Sequence, residues 1–123
     1  MNDLATTIDT HLEAYGETDV ARRVALIQQV WSPTGVLADP PIDGAGHDGI
    51  NEMLGLVQSQ FPGHTFQRTS EIDTHHGIAR YGWKLVAADG SVSLTGMDVA
   101  ELDVDGKLAR VAGFFGDLPA RVG

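Results

Sequence analysis

Apolar side chains repeat with a helical period up to Gly63 and with a period of two beyond it. Leu4, Ile8, Leu12 and Tyr15 form one stripe, with Asp3, Asp9 and Glu13 on other faces, and Gly16 is a natural stop. Thr18 or Asp19 can cap a second helix carrying Val20, Val24, Ile27 and Trp31, with Arg22, Arg23, Gln28 and Gln29 mostly facing water. Ser32-Pro33 ends it, because proline cannot continue a helical ladder. Val36-Leu37-Ala38 reads as a brief strand stopped by Asp39-Pro40-Pro41, and residues 42–46 as a loop rich in Gly and Asp. Ile50, Met53, Leu54, Val57 and Phe61 predict a third helix, closed by Pro62-Gly63.

Beyond Gly63 the chain is Thr-rich and mixed over 65–73. Ala79, Tyr81, Trp83 and Leu85 then alternate with Arg80, Gly82 and Lys84. Ala88-Asp89-Gly90 and Val104-Asp105-Gly106-Lys107 carry hairpin signatures. Val92, Leu94, Ala100 and Leu102 share a face of the strand between them, and a last strand runs from Leu108 to about Phe115. Helices followed by an antiparallel meander predict an α+β fold: three N-terminal helices cover one face of a curved sheet and enclose a pocket.

Composition narrows the function classes. A chain of 123 residues suits one domain over 1–123. Eight Lys and Arg against 17 Asp and Glu give a net charge of -9, which repels nucleic acid and anionic membranes. Cysteine is absent, which removes thiolate chemistry and Cys-type zinc sites and fits a cytoplasmic protein. The acidic N-terminal stretch lacks the pattern of a signal peptide, and no apolar run is long enough to span a membrane. Neither a phosphate loop nor a Gly-x-Ser-x-Gly elbow occurs. Metal-ligand spacings of the His-x-x-x-His or Glu-x-x-His kind are missing too, so no metal and no cofactor is expected.

Several short motifs in order resemble the NTF2-like superfamily, with its SnoaL-like and ketosteroid-isomerase-like branches. They are Trp31 to Pro40, Gly46-His-Asp-Gly-Ile50, Phe61-Pro-Gly63, Gly96 to Gly106, and Gly113-Phe-Phe-Gly116. The resemblance covers nearly the whole chain and implies a cone fold that hosts isomerases, polyketide cyclases, dehydratases, epoxide hydrolases and binding modules. The ketosteroid-isomerase pattern implies a general base at Asp39, in the Asp39-Pro40 step, and a protonated oxyanion donor at Asp98. The tyrosine which that pattern sets on the first helix falls at His11 here, with Tyr15 one turn later on the same face. The epoxide-hydrolase pattern departs at Gly82, two residues after Arg80, where it needs an Asp.

The residues support two readings at each of these positions. Asp98 lies in phase with Leu94 and Ala100, so alternation points a carboxyl at the apolar face, where its pKa rises. It is either an oxyanion donor or a carboxyl bonded to backbone or to a core His or Trp. Asp39 is either a base at the pocket mouth or ordinary turn chemistry before proline. His11 and Tyr15 are either proton donors or plain core. Trp31, Met53, Trp83 and Phe115 are candidates for shaping the ligand pocket. His75-His76 reads as a surface turn, and His47 and His64 flank the third helix. The expected function is cofactor-free acid/base chemistry on a small apolar carbonyl compound, or noncatalytic ligand binding or dimerisation. A homodimer is expected under either.

Overall fold

The computed structural model describes residues 3–123. Helix α1 spans Leu4–Gly16; the Asp3 carboxylate caps it by accepting from the Thr6 amide at 2.7 Å. Helix α2 spans Val20–Val30, with Asp19 accepting from the amides of Ala21 and Arg22. Helix α3 spans Gly46–Gln60. The strands are β1 (Trp31–Asp39), β2 (Ile42–Ala45), β3 (Thr65–Arg68), β4 (Asp73–His75), β5 (Ile78–Val86), β6 (Val92–Leu102) and β7 (Leu108–Phe115). They form one curved, unclosed sheet in the order β2-β1-β7-β6-β5-β3, with β4 also on β5. All pairs are antiparallel except β1 with β7. This is the expected α+β cone: three helices packed against a curved, mostly antiparallel sheet.

The core lies between helices and sheet. Ile8, Leu12 and Tyr15 of α1, Leu26, Ile27 and Val30 of α2, and Ile50, Met53 and Leu54 of α3 meet the inward row Ala79, Tyr81, Trp83 and Leu85 of β5. Both Asp-Gly hairpins form, with Gly90 at φ 88° and Gly106 at φ 79°, in the left-handed region that glycine tolerates.

Four expectations change. Trp31 does not continue α2. It starts β1, which is nine residues long instead of three. A register shift against β7 between Trp31 and Val36 absorbs Pro33, and the Trp31 ring lies across Gly35, where a Cβ would collide with it. The buried face of α2 is accordingly Arg23, Leu26, Ile27 and Val30, while Val20 is exposed. Arg23 faces inward because Asn51, Gln58 and the Glu17 carbonyl all accept from its guanidinium. Residues 42–45 pair with β1 as strand β2 instead of looping freely. The 65–73 stretch divides into β3 and β4 where Thr69 and Ser70 each bond the Gly82 backbone.

Candidate functional site

One row of residues crosses the sheet from β5 to β1. Tyr81 pairs with Asp98, and Asp98 pairs with Gly113. Ala38 pairs with Ala112, which sets Asp39, the last residue of β1, beside Gly113. Alternation points the row at the helices. Gly113 is the gap in it. A Cβ there would overlap Asp39 Oδ1 and lie 3.1 Å from Asp98 Oδ1, so both carboxyl groups gather around the missing side chain.

Each carboxyl has its own donors. The Tyr81 hydroxyl donates to Asp98 Oδ2 at 2.7 Å, and the Trp83 indole N–H donates to Oδ1 at 2.9 Å. The Tyr15 hydroxyl, from α1, donates to Asp39 Oδ2 at 2.6 Å. Asp39 Oδ1 has no protein partner among the described residues.

The surroundings separate the two carboxyls. Burial pushes Asp98 up to about 7; the Asp39 charge adds to this, and the Tyr81 and Trp83 hydrogen bonds oppose it. Burial raises Asp39 as well, opposed by the Tyr15 hydrogen bond. Asp39 therefore ionises first, and its charge helps keep Asp98 protonated. Tyr15 and Tyr81 are both held well above the ordinary phenol value, first by burial and then by the nearby carboxyls, so both remain donors.

Both carboxyls open into a cavity of about 280 Å³. Its walls are mainly apolar and aromatic: Leu12, Phe61, Phe66, Trp83, Leu85 and Phe115, with Pro40, Pro41 and Ile42 beside Asp39. Among the described residues no Lys, Arg or His lines it.

Of the residues singled out by the sequence, Asp39, Asp98, Tyr15, Trp83 and Phe115 line this cavity. Tyr15 is committed to Asp39 instead of being a free donor. His11, Trp31 and Met53 do not line it. His11 and Trp31 are fully buried together behind it, with the indole donating to His11 Nδ1 at 3.2 Å. Burial holds His11 down to about 3, so it is neutral and its Nε2 has no partner. Met53 is packed in the core. His75 and His76 are exposed, as expected. Two residues of the site escaped the sequence reading. Tyr81 was legible as inward by alternation with Trp83. Gly113 was visible only as the start of a family motif, because its part in the site depends on which strand lies beside it.

Among the described residues no group of three or more His, Cys, Asp or Glu is placed to hold a metal ion, and no helix is long and apolar enough to cross a membrane.

No family model matches the chain, and no curated protein does. Solved structures do. A candidate polyketide cyclase from Sinorhizobium meliloti is 15% identical, with a TM-score of 0.69 over 93% of this chain and 95% of its own. TerC, co-crystallised with polyporic acid, is 19% identical, with a TM-score of 0.66 over 89% of this chain and 91% of its own. These two share the fold. A candidate isomerase of the SnoaL-like family from Agrobacterium tumefaciens str. C58 is nearer, at 32% identity and a TM-score of 0.87, matched over 95% of this chain and 100% of its own. At that identity over so much of both chains, this protein belongs to the SnoaL-like family.

Proposed function

We propose that the protein is a cofactor-free enzyme that moves a proton on a small, largely apolar carbonyl compound, as an isomerase or a polyketide-type cyclase does. One observation carries the reading: two carboxyls meet around Gly113 in an apolar cavity, and their surroundings separate their proton affinities.

Asp39 is the base. Its Oδ1 is free, while Tyr15 holds Oδ2 and with it the plane of the carboxylate. Asp39 Oδ1 takes a proton from the carbon next to the carbonyl, and the electron pair of that C–H bond moves onto the carbonyl oxygen. Asp98, still neutral, donates a hydrogen bond to that oxygen. Trp83 and Tyr81 both donate to Asp98, the indole to one lone pair of Oδ1 and the phenol to Oδ2, which leaves the single carboxyl proton for the substrate oxygen. The protonated Asp39 then returns its proton to a second carbon, which gives isomerisation. Alternatively the enolate carbon attacks a second carbonyl, whose π pair moves onto its oxygen and takes the proton from Asp39, which gives ring closure. The absence of a cationic side chain from the walls suits an uncharged substrate. Relatives described as candidate isomerase and candidate cyclase, and one crystallised with polyporic acid, agree with this class.

A noncatalytic binding module is the competing reading. It draws on the full satisfaction of Asp98 by Tyr81 and Trp83, which a structural carboxyl would also have. The test is hydrogen exchange in D₂O, followed by NMR, on a panel of β,γ-unsaturated ketones and 1,3-dicarbonyl compounds. Exchange next to the carbonyl is expected with the wild type. Asp39→Asn is expected to slow it by about 10²- to 10⁴-fold. An Asp39→Asn variant as fast as the wild type contradicts the assignment. No exchange with any of the panel leaves the binding module as the reading.

A further inference from the structure

The cavity has a second polar end. Apart from Tyr15 bound to Asp39 and the Trp83 indole bound to Asp98, the only polar side chain on its wall among the described residues is Gln60. Gln60 is the last residue of α3 and follows Val57 at i+3 on the cavity-facing stripe, which Phe61 completes. Its amide has no hydrogen-bond partner among the described residues. The contrast with Gln58 is direct. Gln58 donates to the carbonyls of Tyr15 and Glu17 and accepts from Arg23, so it holds helices together. Gln60 holds nothing in the fold.

Contacts locate it along the cavity. The His64 ring packs on Phe61 at 5.4 Å, and His64 Nε2 lies 2.9 Å from Ser93 Oγ. The end of α3 is thereby tied to the Leu94 end of β6. Leu94 is four residues from Asp98 on the same inward face, a span of about 13 Å along an extended strand. Between the two ends the walls are apolar and largely aromatic, and no charged group stands at the Gln60 end of the lining.

We propose that Gln60 recognises the far end of the ligand, so that the ligand class is an elongated, uncharged, ring-containing compound with two oxygen functions: one held at Asp98 and the other by the Gln60 amide. This rests on the reading of Asp98 as the oxygen anchor. An amide both donates and accepts, so Gln60 suits a hydroxyl or a carbonyl equally. It sets which compound binds and takes no part in the proton transfer.

The test uses two rigid probes, 2-naphthol and 2,6-dihydroxynaphthalene, titrated by calorimetry against wild type, Gln60→Leu and Asp98→Asn. The arenol oxygen mimics the enolate end, and the second hydroxyl reaches toward the mouth. Wild type is expected to bind the diol about fivefold or more tightly than the mono-ol, as one added hydrogen bond gives. Gln60→Leu, a change at an exposed rim residue, is expected to abolish that preference and leave 2-naphthol unchanged. Asp98→Asn is expected to weaken both probes alike. A diol preference that survives Gln60→Leu, or is absent from wild type, overturns the Gln60 assignment. A Gln60-dependent preference with no effect of Asp98→Asn leaves Gln60 in place and overturns the Asp98 anchor instead.

Discussion

His11 and Asp98 are both sealed from solvent, at 0% and 4% exposure, and burial moves their proton affinities in opposite directions. It holds the imidazole down to about 3 and lifts the carboxyl up to about 7. The outcome is the same, since each is neutral between about pH 3 and about pH 7. What differs is what a neutral group can reach. His11 lies behind the cavity, accepts from Trp31, packs edge-on against Tyr15 and lines no part of the pocket itself. Asp98 opens onto the cavity beside an ionisable partner, so its retained proton faces a ligand. A buried polar group becomes chemistry only when space and a second titrating group adjoin it.

Substitutions sharpen that contrast. The largest effect is expected at the cavity end, where Asp39→Asn removes the base; the deuterium-exchange assay measures it. Asp98→Asn is expected to lower turnover by about 10²- to 10³-fold, the usual cost of an oxyanion donor. Gly113→Ala touches neither carboxyl chemically but drives a methyl group into Asp39 Oδ1. A loss of about 100-fold in kcat, with a smaller change in KM, is expected from the displaced base. His11→Gln keeps an acceptor for Trp31 and is expected to leave turnover unchanged. A His11→Gln variant as impaired as Asp98→Asn would erase the distinction between the two sites.

Stability against pH separates them by sign. The folded Asp98 keeps a proton that the unfolded chain loses above 3.8, so this group makes stability fall as pH rises from 3.8 to about 7. The unfolded His11 takes up a proton below 6.5 that the folded one refuses until about 3, so this group makes stability fall as pH drops across that window. Denaturant titrations from pH 3 to 8 are expected to lose the first slope in Asp98→Asn and the second in His11→Gln.

The parts of this fold that were legible in the sequence are those set by neighbours along the chain. The α1 stripe from Leu4 to Tyr15, the Asp19 cap and the two Asp-Gly hairpins are local devices, and they form as read. The parts that were misread depend on distant partners. Trp31 becomes extended because β7 lies alongside it. Residues 42–45 become a strand because β1 folds back on them. Arg23 turns inward because Asn51 and Gln58 of α3 wait there. The site divides along the same line. Alternation pointed Asp98 and Trp83 inward, and helical phase did the same for Tyr15. Periodicity could not say that Tyr15 would meet Asp39, that His11 would face Trp31 behind the cavity, or that Gly113 would open the space between two carboxyls.

The central claim is that the two cavity carboxyls titrate apart. Carbon-detected NMR of aspartate side-chain carboxyls, assigned with Asp39→Asn and Asp98→Asn, measures this directly. Asp98 is predicted to titrate near pH 7, with Asp39 raised less and ionising before it, and Asp39→Asn is predicted to bring Asp98 down by removing the neighbouring charge. Ordinary titration of both groups near 3.8 would contradict the account.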